Sequence, residues 1–268
     1  MKPQRLDLTY CVQWQGNWHV GSGYASAAAN RLVRRCQGTP LVPGSLVKGV
    51  LRHQCERLVL ALGQQAVDPH ATSDEQEKRL VKYFRPLRDS PLMVDRLFGT
   101  RYQGECLFVD NAVYQQKEQA SSHDAADDVC KNVNDSMLRT RTAMDRVTGT
   151  VAEQHLFTTE INEAPNVTMW GRLRARHPAG VLTQDEDGFP FEYTLLVASL
   201  LSIDALGGDK SAGLGRCSFS IPESSLRWNG EDYTPERALA SFTEHYDKSE
   251  NRDEWMEMAR LIREEYAS

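Results

Sequence analysis

Apolar and polar side chains alternate from residue 6 to 14, with Leu6, Leu8, Tyr10, Val12 and Trp14 set against Asp7, Thr9, Cys11 and Gln13. That period of two predicts a half-buried strand. It runs toward the turn Gly21-Ser22-Gly23, and the stretch from Tyr24 to Arg35, which has no clear period, reads as a long loop. Pro43-Gly44-Ser45 then opens a helix: Ser45 is its expected N-cap, and Val47, Val50, Leu51, Leu58, Val59 and Leu62 recur at helical spacing up to Gly63. Lys48, Arg52 and Glu56 follow one another every four residues, away from the main apolar stripe. Residues 64–79 are polar and read as an exposed loop, and residues 115–135 as a hydrophilic projection. Between them Cys106 to Val109 forms a strand ending at Asp110-Asn111.

Further strands are predicted at His155 to Ile161 and at Val167 to Arg176. The second puts Val167, Met169, Leu173 and Ala175 on one face and Trp170, Arg172, Arg174 and Arg176 on the other, a face that suits either RNA or simple solvent exposure. Tyr193, Leu196, Val197, Leu200, Leu201 and Leu206 predict a helix that stops at Gly207-Gly208. A glycine turn follows, then a strand with Cys217, Phe219 and Ile221 inward, and an amphipathic helix over much of 234–266. This order of elements is that of an α+β chain. A ferredoxin-like or RRM-like core with large insertions is the simplest architecture.

Composition narrows the class without changing that picture. The chain has 268 residues, 40% of them hydrophobic and 25% charged, which excludes wholesale disorder. No run approaches the roughly 18 apolar residues of a spanning helix, and the N-terminus lacks a signal-like apolar segment, so a cytoplasmic location is expected. Six cysteines at irregular intervals, without a CxxC pair, are expected to be free thiols. Charge is more informative. Residues 1–60 hold eight basic and two acidic side chains, whereas residues 221–268 hold six basic and twelve acidic, within a net charge of −6. Such polarisation allows a basic groove on an acidic protein, because exposed charges more than about 8 Å apart are largely screened at physiological salt.

The turn Gly207-Gly208-Asp209-Lys210-Ser211-Ala212-Gly213-Leu214-Gly215 sits between helix and strand, where its backbone N–H groups, Lys210 and Arg216 could cradle phosphate. It matches neither GxxxxGK[ST] nor GxGxxG in order or context. Tight geometry alone is the competing explanation. Taken in order, Trp18 to Gly23, Pro40 to Gly49, Asp145-Arg146-Val147-Thr148-Gly149 and Lys210 to Arg216 resemble the landmarks of the repeat-associated mysterious protein (RAMP) superfamily. Within it the chain is most similar to the backbone subunit of type III CRISPR effector complexes.

That resemblance implies an RRM-like palm over residues 1–225, interrupted by the 64–79 loop and a thumb region at 115–176, with an acidic helical tail at 226–268. It implies subunits stacked head to tail with other effector subunits along a guide RNA that pairs with target RNA, in antiviral defence. Carried over by position, RNA contacts fall on Ser22, Arg31, Arg34 and Arg35 before the helix, and on Ser45, Lys48 and Arg52 at its start. Arg139, Arg141, Met144 and Arg146 belong to the thumb, Met144 as an apolar wedge, and Lys210, Ser211 and Arg216 to the glycine turn.

Target cleavage in the family depends on an aspartate in the loop after the first strand. Here no Asp or Glu lies between Asp7 and Glu56, and Ala29 or a neighbour stands where the acid belongs. No catalytic residue is therefore assigned, and binding without cleavage is expected. The alternatives are a metal-dependent endoribonuclease, with a divalent metal in the assembled complex as its one candidate cofactor, and a protein-only assembly component. Asp110, Asp145, Glu160, Asp185 and Asp187 have no evident partner, and His53, Cys55, His70, Cys106, His123 and Cys130 are too scattered to define a zinc site.

Overall fold

A computed structural model describes residues 2–61, 93–99, 104–114, 133–145, 147–163, 166–182 and 189–246. The 64–79 loop, most of the 115–135 projection, Arg146, Asp185, Asp187, His70, His123 and Cys130 lie outside them.

The alternation of residues 6–14 becomes β1 (Gln4–Trp14), whose even-numbered side chains are all buried or nearly so. Strand β8 (Thr168–His177) pairs with it antiparallel from Gln4↔His177 to Gln13↔Thr168. Beyond β8 lie β4 (Leu107–Val109) and β5 (Ala112–Tyr114), end to end along one edge. The strand expected to end at Asp110-Asn111 thus breaks there and resumes. On the other edge of β1 lie β9 (Cys217–Ser220) and β10 (Leu226–Trp228). With α1 (Gly44–Ala61) and α3 (Phe191–Leu201) as crossovers, the β9–β1–β8–β4/β5 order is the ferredoxin-like arrangement expected for an α+β chain.

Two short elements enlarge the sheet. Strands β2 (Arg35–Cys36) and β3 (Thr39–Val42) extend it past β5, and β11 (Glu231–Tyr233) closes a hairpin with β10. Asn229 and Gly230, both at positive φ, form the two-residue turn of that hairpin, so the segment from 226 begins as sheet. Helix follows as α4 (Pro235–Tyr246), from where the amphipathic pattern begins. The region expected as a thumb, 115–176, holds a separate two-stranded ribbon, β6 (Ser136–Met144) with β7 (Val151–Asn162), here called the thumb, while its end from Thr168 belongs to β8 of the main sheet.

The core fills the space between one sheet face and the helices. Every residue of α3 is buried, which is why its sequence is apolar nearly all round. It ends at Leu201, short of the expected stop at Gly207-Gly208: residues 204–206 instead run beside 215–217, with Leu206 N–H donating to the Gly215 carbonyl. Buried Leu206 mimics helical spacing while lying beyond the helix end.

Polar groups also hold the core. Helix α2 (Met93–Phe98) is fastened residue by residue: Asp95 faces Arg52 of α1 at 3.4 Å, Arg96 meets the buried Glu192 of α3 at 2.7 Å, and the Leu97 carbonyl lies 3.3 Å from Nε2 of His177 on β8. Cross-strand Tyr10↔Gly171 is a second such fit, because a Cβ on Gly171 would sit 2.3 Å from the Tyr10 ring.

Candidate nucleic-acid interface

The chain leaves β1 at Trp14, and Trp18 stacks on Trp14 with ring centroids 4.5 Å apart. This anchors the long loop. Trp18 and Asn162 of β7 exchange backbone hydrogen bonds, and Asn30 and Arg31 pair with Thr158 to Glu160, so the loop lies along the root of the thumb. His19, buried, donates from Nδ1 to the Glu160 carbonyl at 2.7 Å.

The glycine turn packs against the same loop. Gly207 has φ +92°, and a Cβ there would meet the His19 carbonyl oxygen at 2.2 Å. Gly208 N–H donates to the His19 carbonyl and Gly215 N–H to that of Asn17, while Ala212, Gly213 and Leu214 N–H donate within the turn. Five of the turn's amides are thus already spent on the fold and are closed to phosphate. What the turn presents outward is the side chains of Lys210, Ser211 and Arg216, all exposed.

Helix α1 begins against this turn. Pro43, not Ser45, supplies the cap carbonyl, accepting from Leu46 and Val47, and Gly44 N–H donates to Asn111 Oδ1. Ser45 is therefore an exposed first-turn residue. It lines a groove of about 410 Å³ together with Val20, Gly21, Gly207 and Gly208, and a neighbouring concavity of about 480 Å³ with His53, Arg57 and Lys210. Three segments far apart in sequence thus meet beside one helix start, where the dipole favours an anion.

The expected RNA-contact residues separate into two groups. Lys48 bonds Glu105 and the Leu107 carbonyl on the other flank of α1, and Arg52 bonds Glu56 and faces Asp95. Arg35 bonds Glu160 at 2.8 Å, and Arg31 and Arg141 converge on Asp209 at 3.8 and 3.2 Å. Ser22 accepts from Tyr24 N–H. Arg34, Arg139, Lys210 and Arg216 are exposed and have no ion pair among the described residues. Met144 is 60% exposed on a thumb face shared with Leu138, Val151 and Leu156. Val147 at the tip is 94% exposed.

Several carboxylates have the partners that sequence reasoning missed. Asp110 bonds Arg174, and Asp145 accepts from Val147 and Thr148 N–H, which holds its carboxyl below the usual range. Glu160 accepts from Val33 N–H and Arg35; burial raises its carboxyl, but these donors and Ser136 outweigh that and leave it low. Glu160 and Asp209 are thus the acids the fold brings to the loop that lacks its own, and both are paired with arginine. No local signal marks them, since Glu160 and Arg35 lie 125 residues apart. Ala29 is buried, its N–H held by Ser26 Oγ. The His53-x-Cys55 zinc pairing also fails: His53 is exposed, whereas Cys55 is fully buried with its thiol pushed up to about 12 by burial. The described cysteines are free.

Because Glu160 pins the loop through a charged hydrogen bond to a backbone amide and one to Arg35, Glu160→Gln is expected to destabilise the chain by about 1.5–3 kcal/mol. It should also speed proteolysis within residues 21–32. Unchanged cleavage rates would show that the loop is held by its backbone pairing with β7 alone.

No helix among the described residues is long and apolar enough to cross a membrane. No curated protein matches the chain closely enough to serve as a named relative. The family model described as the RAMP superfamily matches residues 16–218, which takes in the anchored loop, α1, the thumb and the glycine turn, and on that match the chain belongs to the RAMP superfamily, whose members are CRISPR-associated RNA-binding proteins.

Proposed function

We propose that this chain is a guide-RNA-binding backbone subunit of a type III CRISPR interference complex, stacked with neighbouring subunits and supporting duplex formation between guide and target RNA without a cleavage acid of its own. The observation that carries the proposal is the convergence of Gly21, Ser45, Gly207-Gly208 and Lys210 on adjoining concavities beside the α1 N-terminus. Lys210 and Arg216 on the turn and Arg34 on the loop, without an ion pair among the described residues, supply cations to backbone phosphates. The exposed apolar face of the thumb fits a wedge between stacked bases, with Met144 and Val147 at its end. The arginines bound to Glu160 and Asp209 take a different part: they fix the loop and thumb root to the turn.

Binding is tested by co-expressing the chain with its genomic neighbours, extracting the bound nucleic acid and measuring affinity against salt. Lys210→Gln and Arg216→Gln should each weaken RNA binding evenly across sequences, and each should reduce the slope of log affinity against log salt by about 1. Unchanged slopes would remove the glycine turn from the interface. Incubation with complementary RNA and Mg²⁺ or Mn²⁺ should yield no product that depends on this chain. The nuclease alternative would be established by metal-dependent cleavage that disappears in Glu160→Gln or Asp209→Asn, the two acids nearest the loop.

A further inference from the structure

Another concavity, of about 280 Å³, lies at the start of β1, where Arg5, Leu6 and Asp7 line it and no residue of the groove beside α1 does. Its lining carries four arginines, Arg5, Arg174, Arg176 and Arg227, and a single carboxylate, Asp7. Half of that positive charge is already answered. Arg174 bonds Asp110 at 2.8 Å and Arg227 bonds Asp232 at 3.0 Å. Asp7 is held by neighbouring Arg172 through both Nε and a terminal nitrogen.

Arg5 and Arg176 are the exception. They are direct partners in the β1–β8 ladder, so their side chains leave the same face of the sheet side by side. Both are exposed, and neither has a carboxylate partner among the described residues. Like charges directly opposite on a sheet repel one another. An oxyanion between them would turn that repulsion into two charge-assisted contacts, and the planar guanidinium fork suits phosphate oxygens. The wall beside them is fixed, because Arg5 N–H donates to Asn229 Oδ1 and Asn229 N–H donates to the Arg5 carbonyl at the hairpin turn.

The charges nearby also restrict the form of the anion. A polyanionic strand laid across this face would meet Asp7, Asp110 and Asp232, all partly exposed. A discrete group entering between Arg5 and Arg176 meets Asp7 alone, and Arg172 already holds that carboxylate. A phosphomonoester carries about −1.5 to −2 near pH 7, matching two unanswered guanidiniums. We propose that this concavity binds a discrete phosphomonoester, as borne by a mononucleotide or by the terminal phosphate of an RNA, at a site separate from the groove beside α1.

The test is thermal unfolding of the full chain with a 5′-mononucleotide, and with a short oligoribonucleotide bearing either a 5′-phosphate or a 5′-hydroxyl. Phosphomonoester ligands should raise the midpoint, and titration should show at least tenfold weaker binding of them to Arg176→Gln. In anion-free buffer Arg176→Gln should unfold at a higher temperature than the parent, since it removes the repulsion without a ligand to compensate. The oligoribonucleotide with a 5′-hydroxyl should give the smaller rise, and the difference between the two oligoribonucleotides is the part that belongs to this concavity. A rise with both phosphorylated ligands identifies a general phosphomonoester site, and a rise with the phosphorylated oligoribonucleotide alone identifies an RNA end. The proposal is overturned by no rise with either, by a rise that persists in Arg176→Gln, by an equal rise with the 5′-hydroxyl oligoribonucleotide, or by an Asp/Glu-rich peptide producing the same rise and marking an acidic protein segment as the occupant.

Discussion

Gly207→Ala is expected to destabilise the chain by about 3 kcal/mol or more, whereas Gly213→Ala in the same turn should cost about 1–2 kcal/mol. Both glycines have positive φ, +92° and +82°, so an L side chain is strained at either. They differ in what a Cβ would meet. At Gly213 there is nothing within 4 Å, while at Gly207 the His19 carbonyl oxygen lies 2.2 Å away. That oxygen cannot withdraw cheaply, because it accepts from Gly208 N–H while the His19 ring is tied to the Glu160 carbonyl. Conformational strain of about 1–2 kcal/mol is common to both variants, and overpacking adds about 1–3 kcal/mol only at Gly207. Urea unfolding midpoints separate the two terms, and equal losses would mean that conformation alone governs the turn. Guide-RNA affinity should follow the same order, since Gly207 and Gly208 line the groove with Ser45.

The core strands were legible because burial of one face imposes a period of two, as in Leu6 to Trp14, and the palm follows from their order. Where both faces are buried or a short segment breaks, periodicity misleads. Leu206 fits a helical stripe yet lies beyond the helix end, paired with Gly215. The β10–β11 hairpin did carry a local signal, Asn229-Gly230 between short apolar-polar runs, which the acidic composition of the tail overshadowed. The landmarks of the groove were legible as motifs, but which cations remain free to meet RNA was not. Lys48, Arg31 and Arg141 are answered by Glu105 and Asp209, acids 57 to 178 residues away along the chain, and only the fold brings them together, while Arg52 adds the distant Asp95 to Glu56 one turn on. Helical spacing alone likewise made Ser45 the N-cap; packing against Asn111 and the β4–β5 break moved the helix start to Gly44.

Asp95 and His177 titrate in opposite senses between pH 4 and 6.5, and removing either should expose the other. Burial lowers the His177 imidazole to about 4, against weaker support from the Leu97 and Arg96 backbone. Its neutral form is favoured in the fold, so its contribution is complete above about 6.5 and is lost as pH falls toward 4. Burial raises the Asp95 carboxyl to about 6, outweighing the pull of Arg52, with Glu56 adding to the rise. Its protonated form is favoured, so its contribution is complete below about 3.8 and is lost as pH rises through 6. Each shift corresponds to about 3 kcal/mol, and between pH 4 and 6 the two slopes, about 1.4 kcal/mol per pH unit, nearly cancel. Relative to the parent, Asp95→Asn should lose about 3 kcal/mol on acidification from pH 6 to 4, because the histidine term is then unopposed. His177→Gln should gain a similar amount over the same interval. Urea midpoints measured every half pH unit give both slopes directly, and parallel profiles for parent and variants would show that neither group titrates away from its unfolded value. Both opposing groups meet at α2: Asp95 is its own side chain, and its Leu97 carbonyl lies against His177, so variants of this one short helix test the predicted cancellation.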